Sequence, residues 1–327
     1  MPPDDVLMRA YAAMVRGRRM NDQASALVRQ GRLAVYPSSH GQEACQIAAA
    51  HVLGHDDWLF PTYRDTVAVA ARGIEPASVL TLLRGDWHHG YDVDRWHVAP
   101  LSTPLATQLP HAVGVAHAAT LRDEGTVVMA LCGDGGTSEG DFHEAMNFAA
   151  VFNAPVVFLI QNNGYAISVP LSRQTAAPSL AYKAVGYGMP GIRVDGNDVA
   201  ALLSVLGHAV DRARAGDGPQ LVEAHTYRME AHTNADDASR YRDDAEVRPW
   251  HDRDPLRRAS AYLRATAGLR DGDQARMDHD AEDMAQTMRE AVAAPIEPQR
   301  LFEHVYCRPT QQLTEQAQFL TRETDRV

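Results

Sequence analysis

Carboxylate and carboxamide side chains follow two apolar segments in the middle of the chain. Asp134 stands in a Gly-Asp-Gly-Gly turn after the run 126–132, and Asn162 and Asn163 follow the run 155–160. Taken singly, each group could be an ordinary turn after a buried strand. Together, oxygen ligands beside glycines that permit close backbone approach suit a hydrated Mg²⁺ holding a polyphosphate. A softer metal would favour Cys or His, and neither residue type ends both runs.

A strand, a crossover helix and a second strand must position these side chains. The segment 126–168 contains two β-type apolar runs separated by a stretch of helix length that begins near Thr137. Strands joined by a helical crossover are parallel neighbours, so both carboxyl ends open on one edge of the sheet, where open α/β folds bind ligands. We therefore expect Asp134 and the Asn pair to meet in space.

Other ligand classes are excluded by the same residues and by the composition. A dinucleotide-binding turn would need a third glycine where Ser138 stands and an acidic residue where Gln161 and Asn162 stand. The one lysine, Lys183, lies outside any phosphate-loop motif, which argues against phosphoryl transfer of that type. The net charge of −11 argues against nucleic acid or an anionic membrane as the main partner.

The cysteines and the amino terminus predict a soluble, cytoplasmic protein. Three widely spaced cysteines favour neither a disulfide framework nor a zinc site. The first residues are acidic and polar, without the features of a signal peptide, and no apolar run approaches a membrane span in length.

The periodicity of apolar residues predicts an α/β fold, with a mainly parallel sheet flanked by helices and helical extensions at both ends. We expect an N-terminal helical extension over 1–55, an α/β domain over 56–250 and a C-terminal helical extension over 251–327. Helices are expected over 4–29, from the Ser39 and Gln42 region to about 52, and over 111–121, 199–213, 256–263 and 273–293. The segment 192–198 is expected to be a short strand with a turn and a helix N-cap, and 221–227 a strand.

Three local signals accompany these elements. Ser39 and Gln42 form a possible capping box for the second helix, with His40 facing solvent. Arg64 precedes a predicted helix, where a guanidinium could bind a diphosphate through charge-assisted contacts. Pro295 is expected to end the helix that begins near Asp273.

Two polar segments interrupt the predicted fold. The segment 85–97 carries three histidines, but no pair has helical spacing backed by a third ligand, so a structured loop near the site is favoured over a metal centre. The segment 228–247 is too rich in charge for the core, and we expect a functional or mobile loop. Its only histidine, His232, could by itself equally be a surface side chain.

The Gly-Asp-Gly turn and the Asn pair are 26 residues apart, a spacing that resembles the thiamine diphosphate signature. From about residue 30 to residue 306, the chain resembles the alpha subunit of the thiamine diphosphate-dependent first component of 2-oxo acid dehydrogenase complexes. Within that family it is most similar to the branched-chain (2-oxoisovalerate) type. The segments that carry the resemblance are 62–64, 102–108, 138–141, 162–168, 193–198 and 232–242.

The resemblance implies a thiamine diphosphate-binding fold and a role for each residue that matches the family motifs. Magnesium would be bound by Asp134, Asn163 and the carbonyl of Tyr165, and His232 would be the catalytic histidine that assists acyl transfer. The residues implied to contact the cofactor, in addition to Asp134, Asn163 and His232, are Tyr63, Arg64, Thr103, Leu105, Gly135 and Gly136. The residues that match a potassium-binding loop are Ser102, Thr107 and Gln108.

The same resemblance implies the reaction and the partners. A 2-oxo acid would be oxidatively decarboxylated, and its acyl unit would pass to the lipoyl domain of the acyltransferase component. A separate beta subunit would supply the glutamate that activates the cofactor, in an assembly of two alpha and two beta chains. The alternatives are a pyruvate or acetoin dehydrogenase alpha subunit and a noncatalytic scaffold of the same fold.

Two departures from the family pattern bear on specificity and control. The segment 87–97 stands where a glycine-rich segment is expected, which leaves the acyl-chain preference open. Thr233 and Asp243 stand where mitochondrial relatives carry serines that are phosphorylated. Control by a kinase is therefore not expected.

Overall fold

A computed structural model describes residues 1–85, 89–293, 298–303 and 305–324. Residues Trp87 and His88 of the histidine-rich segment, and Pro295, lie outside the described residues. The strands are β1 (Trp58–Phe60), β2 (Val128–Gly133), β3 (Val156–Asn162), β4 (Tyr165–Ala166), β5 (Val169–Pro170), β6 (Gly191–Asp195) and β7 (Gln220–His225). The helices are α1 (Asp4–Arg29), α2 (Glu43–His51), α3 (Thr66–Ala71), α4 (Pro76–Val79), α5 (Val93–Trp96), α6 (Gln108–Leu121), α7 (Gly140–Val151), α8 (Val199–Arg214), α9 (Asp244–Asp252), α10 (Pro255–Thr266), α11 (Asp271–Ala291) and α12 (Gln311–Thr324).

Five strands form one parallel sheet in the order β1-β2-β3-β7-β6. The β2–β3 register runs from Val128 opposite Val156 to Gly133 opposite Gln161. Both strands are almost wholly apolar because helices cover both faces of a parallel sheet. The predicted α/β class and the strand–helix–strand unit are confirmed, with α7 as the crossover.

Alternate residues of the central strands contribute to two hydrophobic clusters. Met129 and Leu159 face a cluster with α1, α2 and α8, and Ala130 and Phe158 face a second cluster with α6 and α7. The alternation follows from the period of two of a β-strand. The sheet is thereby fixed on both sides, and its carboxyl edge is left to carry polar side chains.

Several predicted helix bounds are confirmed. Helix α1 spans Asp4–Arg29 as expected, and Asp198 caps α8 by accepting hydrogen bonds from two backbone N–H groups. The two-residue strands β4 and β5 form an antiparallel pair directly after the Asn-Asn sequence. No helix in the described part of the chain is long and apolar enough to cross a membrane.

The predicted capping box is wrong. Helix α2 begins at Glu43 without a side-chain cap, and the buried Ser39 hydroxyl is hydrogen-bonded to Asn21 of α1 instead. His40 is half-buried, and its Nδ1 lies 3.2 Å from a carboxylate oxygen of Glu230. The polar groups that the local pattern assigned to a helix cap form hydrogen bonds with residues distant in sequence instead.

The division of the chain into 1–55, 56–250 and 251–327 stays a prediction. In the structure, α1 packs against α11, so the first and last of these segments contact each other.

Candidate active site

The carboxyl ends of β2 and β3 border a cavity of about 510 Å³. The parallel register brings Asp134 and Asn163 to the same edge, as the sequence predicts. Thr107 is the one predicted site residue outside the cavity lining. The predicted residues that line the cavity are Tyr63, Arg64, Ser102, Thr103, Leu105, Gln108, Asp134, Gly135, Gly136, Asn163, Tyr165 and His232.

Three oxygen-bearing groups converge at the buried end of the cavity. One amide atom of the Asn163 side chain lies 3.2 Å from Asp134 Oδ1 and 3.1 Å from the Tyr165 carbonyl oxygen. An NH₂ group in that position donates two hydrogen bonds, whereas an amide oxygen there would face two other oxygens and need a cation. With metal–oxygen bonds of about 2.1 Å, adjacent ligands of octahedral Mg²⁺ lie about 3.0 Å apart. The spacing of these atoms therefore fits a small divalent cation.

Asp134 is fully buried, and burial raises its pKa above the usual range of a carboxyl group. Its Oδ1 accepts a hydrogen bond from the Asn163 backbone N–H at 3.3 Å, and its Oδ2 accepts one from Gln174 Nε2 at 2.8 Å. A bound cation would stabilise the ionised form that burial disfavours.

The first asparagine of the pair has a structural contact, and the second faces the cavity. Asn162 donates from its side chain to Glu223 of β7 at 2.7 Å, within the sheet. Asn163 lies beside Gln42, at 3.3 Å between side-chain atoms. Sequence reasoning missed Gln42 and Gln174, because contacts across 121 and 40 residues leave no local pattern.

The glycines after Asp134 are required by close packing. A Cβ atom on Gly135 would lie 2.6 Å from Ala166 Cβ, and one on Gly136 would lie 2.5 Å from Cys132 Sγ. Both distances are shorter than van der Waals contact, so any larger residue would displace the hairpin β4–β5 or the strand β2. The backbone of this turn therefore borders the cavity without side chains in between.

Arg64 is 6% exposed and reaches the cavity from the start of α3. Its Nη1 donates to the Ser38 carbonyl at 2.8 Å, and its Nη2 donates to Nδ1 and to the carbonyl oxygen of His232, both at 3.0 Å. These acceptors are neutral. Within the described residues Arg64 forms no direct ion pair, so its guanidinium remains able to pair with an anionic ligand.

His232 is placed beside this guanidinium. Because a guanidinium only donates, Nδ1 of His232 accepts, and the neutral ring carries its proton on Nε2. Burial, with Arg64 and Arg228 nearby, lowers the pKa of His232 to about 4. The Tyr63 ring packs edge-on against the imidazole, with 6.0 Å between ring centroids. The side chain therefore faces the cavity as a neutral hydrogen-bond donor.

Arg228 corrects the expectation that the segment 228–247 stays out of the core. It is 1% exposed, and among the described residues it too forms no ion pair. Its guanidinium donates to the Tyr165 carbonyl at 3.3 Å, to the Ile167 carbonyl at 2.6 Å and to the Tyr241 hydroxyl at 2.9 Å. Burial, and then Arg64, lower its pKa. Nothing in the local sequence distinguishes this arginine from the exposed ones around it.

The remainder of this segment is closed by specific contacts. Arg242 is buried and donates to the backbone carbonyls of Arg228, Met229 and Glu230. Asp236 accepts from the His232 backbone N–H at 2.8 Å. The segment therefore forms a packed loop that holds His232 in place.

Two non-glycine residues with left-handed backbone conformations line the cavity, Ala106 with φ of 62° and Ile167 with φ of 55°. A β-branched residue rarely adopts this conformation, and such strain concentrates at functional sites. The Arg228 hydrogen bond to the Ile167 carbonyl helps to hold it.

The 102–108 segment supplies polar groups at the opposite wall. Gln108 donates to the Leu131 carbonyl at 2.7 Å, while its buried Oε1 has no hydrogen-bond partner among the described residues. The Ser102 hydroxyl donates to the Pro104 carbonyl at 2.9 Å, and the Thr107 hydroxyl donates to Asp141 at 3.1 Å. The unpaired carbonyl oxygen of Gln108 is the atom here best placed to accept a cation.

Comparisons with known proteins identify the family. Residues 11–299 match the model of the family described as dehydrogenase E1 component. The chain is 47% identical over 99% of its length to the 3-methyl-2-oxobutanoate dehydrogenase subunit alpha of Mycobacterium tuberculosis, of which the match covers 89%. It is 36% identical, over 96% of its length, to the pyruvate dehydrogenase E1 component subunit alpha of Acholeplasma laidlawii, of which 92% is covered.

A third relative is the pyruvate dehydrogenase E1 component subunit alpha of Staphylococcus aureus strain COL, 41% identical over 80% of this chain and 70% of the relative. The family match over residues 11–299 includes the sheet, the cavity and the loop that carries His232. The chain therefore belongs to the dehydrogenase E1 component family.

Proposed function

We propose that this chain is the alpha subunit of a thiamine diphosphate-dependent branched-chain 2-oxo acid dehydrogenase. The enzyme oxidatively decarboxylates 3-methyl-2-oxobutanoate and related 2-oxo acids and transfers the acyl unit to a lipoyl group. The name of the M. tuberculosis relative, which matches 99% of the chain, favours the branched-chain substrate over pyruvate. The observation that carries the proposal is a pair of buried arginines, which form no ion pair with any described residue, beside a cluster of oxygen ligands.

The metal part of the proposal depends on Asp134, Asn163 and the carbonyl of Tyr165. With the amide oxygen of Asn163 turned toward Asp134, these groups offer three oxygens at separations of 3.1 and 3.2 Å. The all-oxygen donor set favours Mg²⁺ over softer metals. Gln174 and the Asn163 N–H would keep the Asp134 carboxylate oriented.

The diphosphate part depends on Arg64 and Tyr63, with Gly135 and Gly136 as the close backbone wall. A buried guanidinium without a carboxylate is costly unless an anion neutralises it. Thr103 and Leu105 border the same cavity and would contact the remainder of the cofactor. The Gln108 oxygen, with Ser102 and Thr107, would form a potassium site that stabilises the 102–108 segment.

Thiamine diphosphate, when bound, would supply the electron sink that lets a 2-oxo acid lose CO₂. The residues of this chain would orient the reactants and donate hydrogen bonds to them. His232, with Nδ1 held by Arg64, presents a neutral Nε2–H that can donate a hydrogen bond during acyl transfer. Arg228 would keep the ring neutral and hold the Tyr165 and Ile167 carbonyls in place.

The proposal includes partner proteins and a cytoplasmic location. A beta subunit would complete the site, with two alpha and two beta chains, and a lipoyl domain of the acyltransferase component would enter it. Apolar side chains of Leu105, Ile167 and Val169 are exposed beside the cavity and would be covered by such a partner.

The experiment is a substrate-oxidation assay of the chain co-expressed with a candidate beta subunit. Turnover of 3-methyl-2-oxobutanoate, pyruvate and acetoin is measured with an artificial electron acceptor, with and without thiamine diphosphate and Mg²⁺. We expect the branched acid to react fastest and Asp134→Asn to abolish cofactor-dependent turnover. Asp217→Asn, at an exposed carboxylate paired with Arg212, is the matched control and should leave turnover unchanged.

Either of two results would contradict the proposal. Faster turnover of pyruvate or acetoin would replace the substrate and keep the site. Absence of cofactor binding by calorimetry, with the fold intact, would favour a noncatalytic scaffold.

A further inference from the structure

A group of potential metal ligands lies away from the cavity, near the amino end of β1. One ligand atom each from His55, Asp56 and His97 lies within 4.8 Å of the other two, the one such group of three His, Cys, Asp or Glu residues in the described part of the chain. His55 and Asp56 stand in the turn between α2 and β1, and His97 directly follows α5. The cavity lies beyond the other end of β1, so the two sites are separate.

His97 is held rigidly by its neighbours. Its Nδ1 lies 3.0 Å from the His55 carbonyl oxygen, and its ring packs on Trp58 with 5.1 Å between ring centroids. The His97 carbonyl accepts a hydrogen bond from the Leu59 N–H at 2.9 Å, which ties the residue to β1. Because a carbonyl can only accept, the neutral ring carries its proton on Nδ1 and keeps the Nε2 lone pair for a ligand.

His55 has the same tautomer for the same reason. Its Nδ1 lies 2.9 Å from Asp56 Oδ1, and an ionised carboxylate can only accept. The rings of His55 and His97 meet edge to face, with centroids 5.9 Å apart. For His97, whose Nδ1 is hydrogen-bonded to a backbone carbonyl, this bond is the usual arrangement of a metal-binding histidine.

We propose that His55, Asp56 and His97 bind one divalent transition-metal ion of the Zn²⁺ type. Imidazole nitrogens select such ions over Mg²⁺ and Ca²⁺, which prefer oxygen ligands. Because the two nitrogens of one imidazole point in different directions, His55 and Asp56 would give up their mutual hydrogen bond, so that one ring nitrogen and one carboxylate oxygen bind the ion and water completes the coordination. The site does not depend on the proposed function.

The side chains must approach each other only modestly to bind the ion. Ligand atoms around tetrahedral zinc lie about 3.3 Å apart, given metal–nitrogen bonds of about 2.0 Å. The side chains of His55 and Asp56 are 87% and 84% exposed, so both are free to move toward the fixed His97 ring. The bound ion would join the turn before β1 to the segment after α5, which leads to residues 102–108 of the cavity wall.

The test is zinc binding by the full-length chain, after chelation and dialysis, in buffer saturated with Mg²⁺ and thiamine diphosphate. A competing chromogenic chelator reports the free zinc concentration. Wild-type protein is compared with His97→Gln, His55→Gln and Asp56→Asn. We expect one zinc site per chain, an affinity at least tenfold weaker in each histidine variant, and a zinc-dependent rise in the thermal unfolding midpoint that the variants lose.

His279→Gln is the matched control, because His279 lies 3.4 Å from Asp283 on an exposed helix face without a third ligand. Its zinc affinity should equal that of the wild type. Equal zinc affinities for the wild type and His55→Gln would overturn the proposal. The His55 and Asp56 side chains are exposed, so His55→Gln and Asp56→Asn should fold even if His97→Gln does not. These two variants therefore suffice for the test.

Discussion

Two buried regions of this protein differ in the groups that contact their arginines. Between α1 and α2, Arg18 donates to both oxygens of Glu43 at 2.6 and 3.1 Å and to Asp254 at 2.7 Å. At the cavity, Arg64 and Arg228 donate to neutral acceptors and form no ion pair within the described residues. Where an arginine directly contacts carboxylates of the chain, the contact is structural, and where it contacts only neutral acceptors, it remains able to pair with an anionic ligand.

The largest expected effect tests the structural side of this comparison. Glu43→Gln leaves Arg18 with only Asp254 in a buried place, and should lower the free energy of unfolding by about 3–5 kcal/mol. Urea denaturation of the purified chain measures it. A loss below about 1 kcal/mol would mean that solvent reaches Arg18 and that its pairing has the weak effect of a surface ion pair.

The next effect tests the cavity side. Arg64→Met should change the stability of the cofactor-free chain less than Glu43→Gln does, because it removes a buried charge that has no direct ion pair among the described residues. It should weaken thiamine diphosphate binding by about 1.5–3 kcal/mol, or roughly 10- to 150-fold. Calorimetric titration measures the affinity, with Arg64→Lys as a control that keeps the charge and loses the planar fork. Unchanged affinity in Arg64→Met would remove Arg64 from the diphosphate site.

A smaller effect concerns pH. The folded pKa of His232 is about 4, against 6.5 for the free side chain, so the unfolded chain binds a proton first as the pH falls. The contribution of His232 to the free energy of unfolding is therefore fully present above pH 6.5 and is lost as the pH falls toward 4. His232→Gln should remove about 1 kcal/mol of this decrease, allowing for the partly exposed ring. Urea denaturation at several pH values measures it, and parallel curves for the two proteins would contradict it.

The same histidine offers a sharper measurement. Arg228→Met removes one of the two cations that lower the pKa of His232, so the titration midpoint should rise toward 6.5. Nuclear magnetic resonance of labelled histidine in the cofactor-free chain would report the midpoint. A midpoint that stays near 4 would assign the shift to burial and Arg64 alone.

The smallest effect provides the exposed counterpart. Arg257 pairs with Asp252 at 2.8 Å, and both side chains are mostly exposed. Arg257→Ala should change stability by less than about 1 kcal/mol and leave thiamine diphosphate binding unchanged, because water already solvates both charges. Denaturation and calorimetry together check it. A larger loss would show that burial is not what separates the arginines of this chain.

Much of the fold follows from local patterns. Residues close together in the sequence are enough to predict three features: the apolar strands β2 and β3, the glycine turn after Asp134 and the Asp198 cap of α8. The parallel crossover then brings Asp134 to Asn163, since chirality leaves little choice of topology. Local patterns failed at Ser39, where a distant Asn21 took the hydroxyl.

By itself, the sequence determined the class of fold, the edge of the sheet that carries the site, and the types of ligand that edge can hold. Only the tertiary structure decided which charged side chains are buried away from water. It buried Arg228 while leaving similar arginines exposed, placed Gln42 and Gln174 around the oxygen cluster, and joined His55 to His97 across 42 residues. The reason is physical: desolvation depends on what packs around a group from every element, and residues distant in sequence supply most of that environment.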